Sequence, residues 1–92
     1  MYKTNINLNL YKTFYDVAKY GSISKAAKYG FTSQPAISKS IKKLEDELRT
    51  QLFYRNLNGV ELTDKGKELL YFVEKSYSNL IIAERTMHPF FS

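Results

Sequence analysis

Thr32-Ser33-Gln34-Pro35-Ala36-Ile37-Ser38-Lys39-Ser40-Ile41-Lys42-Lys43-Leu44-Glu45 is the stretch on which the reading of this 92-residue chain turns. It has the pattern of one amphipathic helix. Ser33 is a good N-cap, and Pro35 is tolerated in the first turn, where no intrahelical donor is needed. Ile37, Ile41, Leu44 and Leu48 recur at steps of four, three and four, so they form one apolar stripe on a helix. Pro35, Ser38, Lys39 and Lys42 share the opposite face, which is polar, small near its start and free of acid until Asp46. A helix that is apolar on one side and short, polar and cationic on the other suits a DNA groove. An ordinary solvated helix face is the alternative. Lys39, Lys42 and Lys43 are followed by Glu45, Asp46 and Glu47, so only the N-terminal half can approach phosphates comfortably. The acids gain nothing from the macrodipole at a helix C-terminus, which disfavours them by roughly a few tenths of a kcal/mol.

The charge distribution points the same way. Net charge is +5, but residues 1–44 hold eight Lys and one acid, Asp16, whereas residues 45–92 hold six bases and eight acids. The basic character therefore belongs to the half that contains this helix, as an anionic partner would require. The length allows a single domain with a modest core. There is no Cys, which excludes disulfides and thiolate metal sites. The lone His88 has only Glu84 one turn earlier, so no metal site and no cofactor is expected. No Gly-rich phosphate loop and no nucleophile–base set is present, and catalysis is not expected. No run approaches a membrane span and no signal-peptide core is seen, so a cytoplasmic location is expected.

Along the chain, Leu8, Tyr11, Phe14 and Ala18 form a helical stripe that Leu10 and Val17 widen. Asn7 can cap its start and Gly21 stops it. A short helix follows, with Ser24 as its N-cap and Ser22 as the fallback. Ala26-Ala27 lets another helix approach closely, and Gly30-Phe31-Thr32 makes a tight turn into the helix quoted above. Two helices joined by a short Gly-containing turn are a helix-turn-helix, spanning about 23–48. Ser24 and Lys25 at a helix start can hold a phosphate; plain capping would look the same. Beyond Leu48 the helical period fails, and Leu52-Phe53-Tyr54-Arg55 and Val60-Glu61-Leu62 alternate as strands around an Asn58-Gly59 turn. This is a small wing at about 52–62, with Phe53 and Leu62 inward and Arg55 outward. Arg55 can reach a phosphate or a minor groove, or can pair with Glu61. Thr63 then opens a long helix, residues 64–88, ended by Pro89. At a rise of 1.5 Å per residue it spans roughly 36 Å, too long to be buried against so small a domain. Its stripe of Leu70, Val73, Tyr77 and Leu80, edged by Leu69, Phe72 and Ile81, predicts a partner helix, most simply from a second copy of the chain.

Taken in order, Phe14…Val17-Ala18…Gly21-Ser22, Ala26-Ala27, Ser33-Gln34-Pro35-Ala36-Ile37-Ser38 and Ile41…Leu44-Glu45…Leu48 resemble the DNA-binding domain of LysR-type transcriptional regulators. Leu52-Phe53-Tyr54-Arg55 and Val60-Glu61-Leu62-Thr63-Asp64-Lys65-Gly66 resemble that family's wing and linker-helix start. The resemblance covers roughly residues 8–70. It departs at Gly30 and Thr32, where the family normally has buried Leu and Val, with Phe31 available to refill the space. It departs also at Arg49, where a Gly often ends the recognition helix; a positive φ there would cost about 1 kcal/mol.

The resemblance implies a mainly α fold: a winged helix-turn-helix of three helices and a two-stranded wing over residues 6–63, then a linker helix at 64–88 and the start of a hinge or tail at 89–92. It implies sequence-specific binding of double-stranded DNA at an interrupted palindromic promoter site, as a homodimer paired through the linker helix at Leu70, Val73, Tyr77, Leu80 and Ile81. Gln34, Pro35, Ser38 and Lys39 would sit in the major groove, with Lys42 along its edge. Ser24, with Lys25 beside it, Ser33 and Thr63 would meet phosphates through helix starts, and Arg55 would serve the wing. The family usually has Arg at the position of Lys39, and Lys makes the bidentate fork to guanine less well. The family's effector-binding domain of two α/β lobes is absent from these residues, and a small-molecule effector belongs only to a longer protein that carries it. The competing reading is a winged-helix protein–protein assembly module that binds no DNA.

Overall fold

The computed structural model describes residues 4–88. Three helices come first: α1 (Leu8–Tyr20), α2 (Ile23–Tyr29) and α3 (Gln34–Leu48). A two-stranded hairpin follows, β1 (Phe53–Asn56) and β2 (Gly59–Leu62), and α4 (Asp64–Met87) ends the described chain. The architecture is the expected mainly α winged helix-turn-helix with a long last helix. The proposed end of α4 at Pro89 and the tail at 89–92 lie outside the described residues.

Asn7 starts α1 from extended backbone, its side-chain oxygen accepting from the Asn9 N–H at 2.8 Å. α1 buries Leu10, Phe14 and Val17, so the residues expected to widen the stripe, with Phe14, are its centre, and Tyr11 and Ala18 pack at its margin. Leu8 is exposed and Tyr11 half-buried. Both sets contain Phe14 and share one side of the helix, so periodicity could not choose between them. Gly21, left-handed, closes α1.

The cap of α2 is Ser22, not Ser24. Ser22 is extended (φ −161°, ψ 132°), and its hydroxyl accepts from the Lys25 N–H at 3.1 Å. Ser24 lies inside the first turn, where the backbone is already helical. Ala26 and Ala27 are buried where α2 meets its neighbours. In the turn that follows, Phe31 does not refill the space left by Gly30 and Thr32. It adopts φ 54° and is 98% exposed.

α3 begins at Ser33, whose hydroxyl accepts from the Ala36 N–H at 3.2 Å, with Pro35 in the first turn. Ile37, Ile41 and Leu44 are buried and Leu48 is half-buried, as the stripe required. Arg49 does take the left-handed conformation (φ 55°, ψ 41°), donating its N–H to the Asp46 and Glu45 carbonyls. Its side chain does not prevent the left-handed termination that glycine usually supplies.

The hairpin is tied to both ends of the helix-turn-helix. The Glu45 carboxylate accepts from the Leu52 and Phe53 N–H groups at 2.7 and 3.3 Å. The Phe14 and Phe53 rings lie 5.3 Å apart, joining α1 to β1. The Val60 N–H donates to the Gly21 carbonyl at 3.1 Å. Gly59 backs so closely onto that carbonyl that a Cβ at position 59 would collide with it. The hairpin turn is Leu57-Asn58, one residue earlier than expected, because Gly59 already pairs with Asn56 in the ladder.

α4 starts against the base of the wing. The Thr63 hydroxyl accepts from the Gly66 N–H at 3.0 Å and donates to the Gln51 carbonyl at 2.7 Å, while the Thr63 N–H donates to the Leu52 carbonyl at 3.0 Å. Val73 is buried in the core and Tyr77 packs edge-on against Tyr15, with ring centroids 4.8 Å apart. From Ser78 to His88 every residue is exposed. The helix thus leaves the domain halfway along its length.

Candidate nucleic-acid interface

The outer face of α3 is where the sequence placed it. Gln34, Pro35, Lys39 and Lys42 are exposed and Ser38 is half-buried, while the buried stripe on the other side fixes the helix to the domain. Ser33 is exposed and spends its hydroxyl on the cap. The N-terminal half of the helix therefore presents small polar groups and Lys39 to solvent.

Lys42 is different from Lys39. Its ammonium donates to the Asp46 carboxylate at 2.6 Å, one turn on. That hydrogen bond, and then the Asp46 charge, hold the Lys42 ammonium protonated above the usual lysine range. Exposed pairs of this kind contribute little to stability. A phosphate approaching Lys42 would compete with Asp46 for the same donors.

A shallow cleft of about 360 Å³ brings α2, α3 and the wing together. Ser22, Ser24, Gln34, Arg55 and Leu57 line it, and no acid is among its lining residues. Arg55 lies opposite Val60, and Glu61 opposite Tyr54, so the alternative Arg55–Glu61 pair is not formed. Among the described residues Arg55 enters no ion pair. Lys25 is exposed at the start of α2.

Thr63 does not join this surface. It is 7% exposed, and its hydroxyl both donates and accepts inside the protein, so that hydroxyl is committed to the cap of α4. Ser22, the fallback cap, and the wing tip join the cleft although neither was expected there. Two serines one residue apart are equivalent in a sequence pattern, and an Asn-Leu-Asn tip carries no charge to mark it.

A second surface lies between α1 and α4. Leu8, Tyr11, Leu69, Phe72, Ser76 and Leu80 line an apolar groove of about 530 Å³. Of the five residues expected to pair two copies, Leu80 and Ile81 are exposed, Leu70 and Tyr77 are half-buried, and Val73 is buried in its own domain. Val73 is thus part of the core and at the same time lines this groove. Phe72, on the expected second apolar edge, and Ile82, outside it, are exposed as well. No helix among the described residues is long and apolar enough to cross a membrane, and no group of three or more metal-ligating side chains occurs there.

A cationic helix face seated on a helix-turn-helix, a braced hairpin beside it and a long projecting helix define a winged helix-turn-helix of the nucleic-acid-binding class. The model of the bacterial regulatory helix-turn-helix protein, lysR family, matches residues 8–67, and the chain belongs to that family. These regulators are not enzymes. The chain is 46% identical over 66 residues to the uncharacterized HTH-type transcriptional regulator YoaU of Bacillus subtilis, covering 71% of this chain and 23% of that protein. It is 32% identical over 80 residues to the HTH-type transcriptional regulator HdfR of Yersinia enterocolitica, covering 87% of this chain and 27% of that one. The chain thus spans about a quarter of the length of these relatives. Among solved structures, the BenM DNA-binding domain in complex with catB site 1 DNA is similar over 92% of this chain and 96% of that one, with a TM-score of 0.82 at 28% identity. The CbnR DNA-binding domain in complex with DNA is similar over 91% and 93%, with a TM-score of 0.76 at 31% identity.

Proposed function

We propose that this chain binds double-stranded DNA sequence-specifically as the DNA-binding part of a LysR-type transcriptional regulator, and that it does so as a homodimer on an interrupted palindromic promoter site. One observation carries the reading. The face of α3 that bears Gln34, Pro35, Ser38 and Lys39 is turned to solvent, while Ile37, Ile41 and Leu44 are sealed beneath it. Gln34, Pro35, Ser38 and Lys39 enter the major groove, and Lys42 follows its edge after exchanging Asp46 for a phosphate. Ser24, Lys25, Ser33 and Arg55 flank the phosphate backbone. The two copies meet through Leu80, Ile81 and the apolar groove between α1 and α4. Two-fold pairing then sets half-sites one helical turn apart or a multiple of it. Such a regulator works in the cytoplasm, on the nucleoid, and a small-molecule effector enters only where a longer protein carries an effector-binding domain.

Selection from random duplexes, followed by footprinting and a salt titration, tests this. A recovered motif with paired half-sites is the expected result. Lys39→Ala should relax base preference, whereas Lys42→Ala should weaken binding to all sequences and reduce the salt slope by about one. Recovery of no motif, with a flat salt dependence, would leave the protein–protein assembly reading in its place.

A further inference from the structure

We propose that Leu57 is an apolar wedge that the wing inserts between base pairs in the minor groove, so that the chain reads a flexible pyrimidine–purine step beside its major-groove site. The proposal rests on the reading above, in which α3 lies in the major groove, and it extends that reading to DNA deformability.

Leu57 is 105% exposed, at the tip of the hairpin. A single exposed leucine is ordinary. This one is set apart by how it is held and by what surrounds it. The Asn58 N–H donates to the Asn56 side-chain oxygen at 2.9 Å and closes the tip locally. Below the tip, the wing is braced by the Val60–Gly21 hydrogen bond and by the Glu45 carboxylate on β1. A large apolar side chain is thus presented on a supported arm and gives nothing to the core.

Its neighbours have the chemistry of a minor-groove reader. Arg and Asn read the minor groove's pattern and width, and Leu is among the side chains that part a base step there and kink the duplex. Arg55, Asn56 and Asn58 flank Leu57 in sequence. The acid-free cleft between the wing and the starts of α2 and α3 has Gln34 on one side and Arg55 and Leu57 on the other. A phosphodiester ridge lying in that cleft separates the major groove under Gln34 from the minor groove under Leu57. Pyrimidine–purine steps unstack most easily, so the wedge converts their flexibility into sequence preference.

The test compares duplexes selected from a random pool by the wild-type chain, Leu57→Ala and Leu57→Met. Wild type should enrich a TA or CA step at a fixed distance from the α3 motif. Leu57→Ala should lose that enrichment, keep the α3 motif, and bind the wild-type site roughly fivefold more weakly. Leu57→Met, which retains an apolar side chain, should restore it. With 2-aminopurine at the selected step, fluorescence should rise on binding wild type and not Leu57→Ala. A motif whose flanking steps are identical for wild type and Leu57→Ala overturns the wedge and leaves the function standing. A wild type that selects no motif overturns the function itself.

Discussion

α3 and α4 are both amphipathic helices that start on a hydroxyl cap, Ser33 and Thr63, and they dispose of their apolar faces in opposite ways. The apolar face of α3 is covered by its own domain along most of its length, at Ile37, Ile41 and Leu44. α4 is covered at Gly66 and Val73, and beyond Tyr77 it exposes Leu80, Ile81 and Ile82. The two helices are thereby left with different surfaces to offer. A helix sealed on one side can offer its polar side to a ligand without moving. A helix left half-uncovered carries apolar surface whose burial requires something outside the domain.

The largest expected effect probes the sealed helix. Leu44→Ala should cost about 2–5 kcal/mol of folding stability, with the same loss at every protein concentration in denaturant titrations. A smaller loss would mean that α3 is less firmly clamped than its burial implies. Gly66→Ala follows, at about 1–3 kcal/mol, because a Cβ there meets the Leu52 carbonyl and the Leu62 side chain where α4 crosses the wing base. Thermal melts read this, and an unchanged midpoint would show that the wing base can yield.

Ile81→Asp probes the uncovered half. It should weaken self-association tenfold or more, about 1.4 kcal/mol, in sedimentation equilibrium while leaving the circular dichroism of the dilute protein unaltered. If it unfolded the dilute chain instead, the contrast between the two helices would fail. The smallest effect concerns the end of α3. Arg49→Gly should stabilise the domain by about 1 kcal/mol or less, since it removes a left-handed non-glycine residue but loosens the unfolded chain. Destabilisation in the same melts would point to a role for the Arg49 side chain.

The helix boundaries and most caps were legible because they depend on near neighbours. Asn7, Ser33, Thr63 and the Gly21 stop each act within about one helical turn. The expected outer face of α3 was legible for the same reason: two residue classes separate at helical spacing. Ser22 ranked only second to Ser24 because both supply the same hydroxyl, and only the backbone conformation, extended at Ser22, distinguishes them. The choice between the Leu8 and Leu10 edges of α1 depended on where α3 and the wing pack, which is a long-range matter.

The order of residues alone settled that there would be a helix-turn-helix, a hairpin wing and a long last helix, because capping, periodicity and turn chemistry are local. Folding in three dimensions determined which polar groups were left for a partner. The Thr63 hydroxyl is committed to Gln51 and Gly66, and Val73 gives most of its surface to the core and leaves only a small part on the groove between α1 and α4. A hydroxyl or a methyl group has the same identity wherever it sits. Whether it is available is a property of what other segments of the chain bring against it.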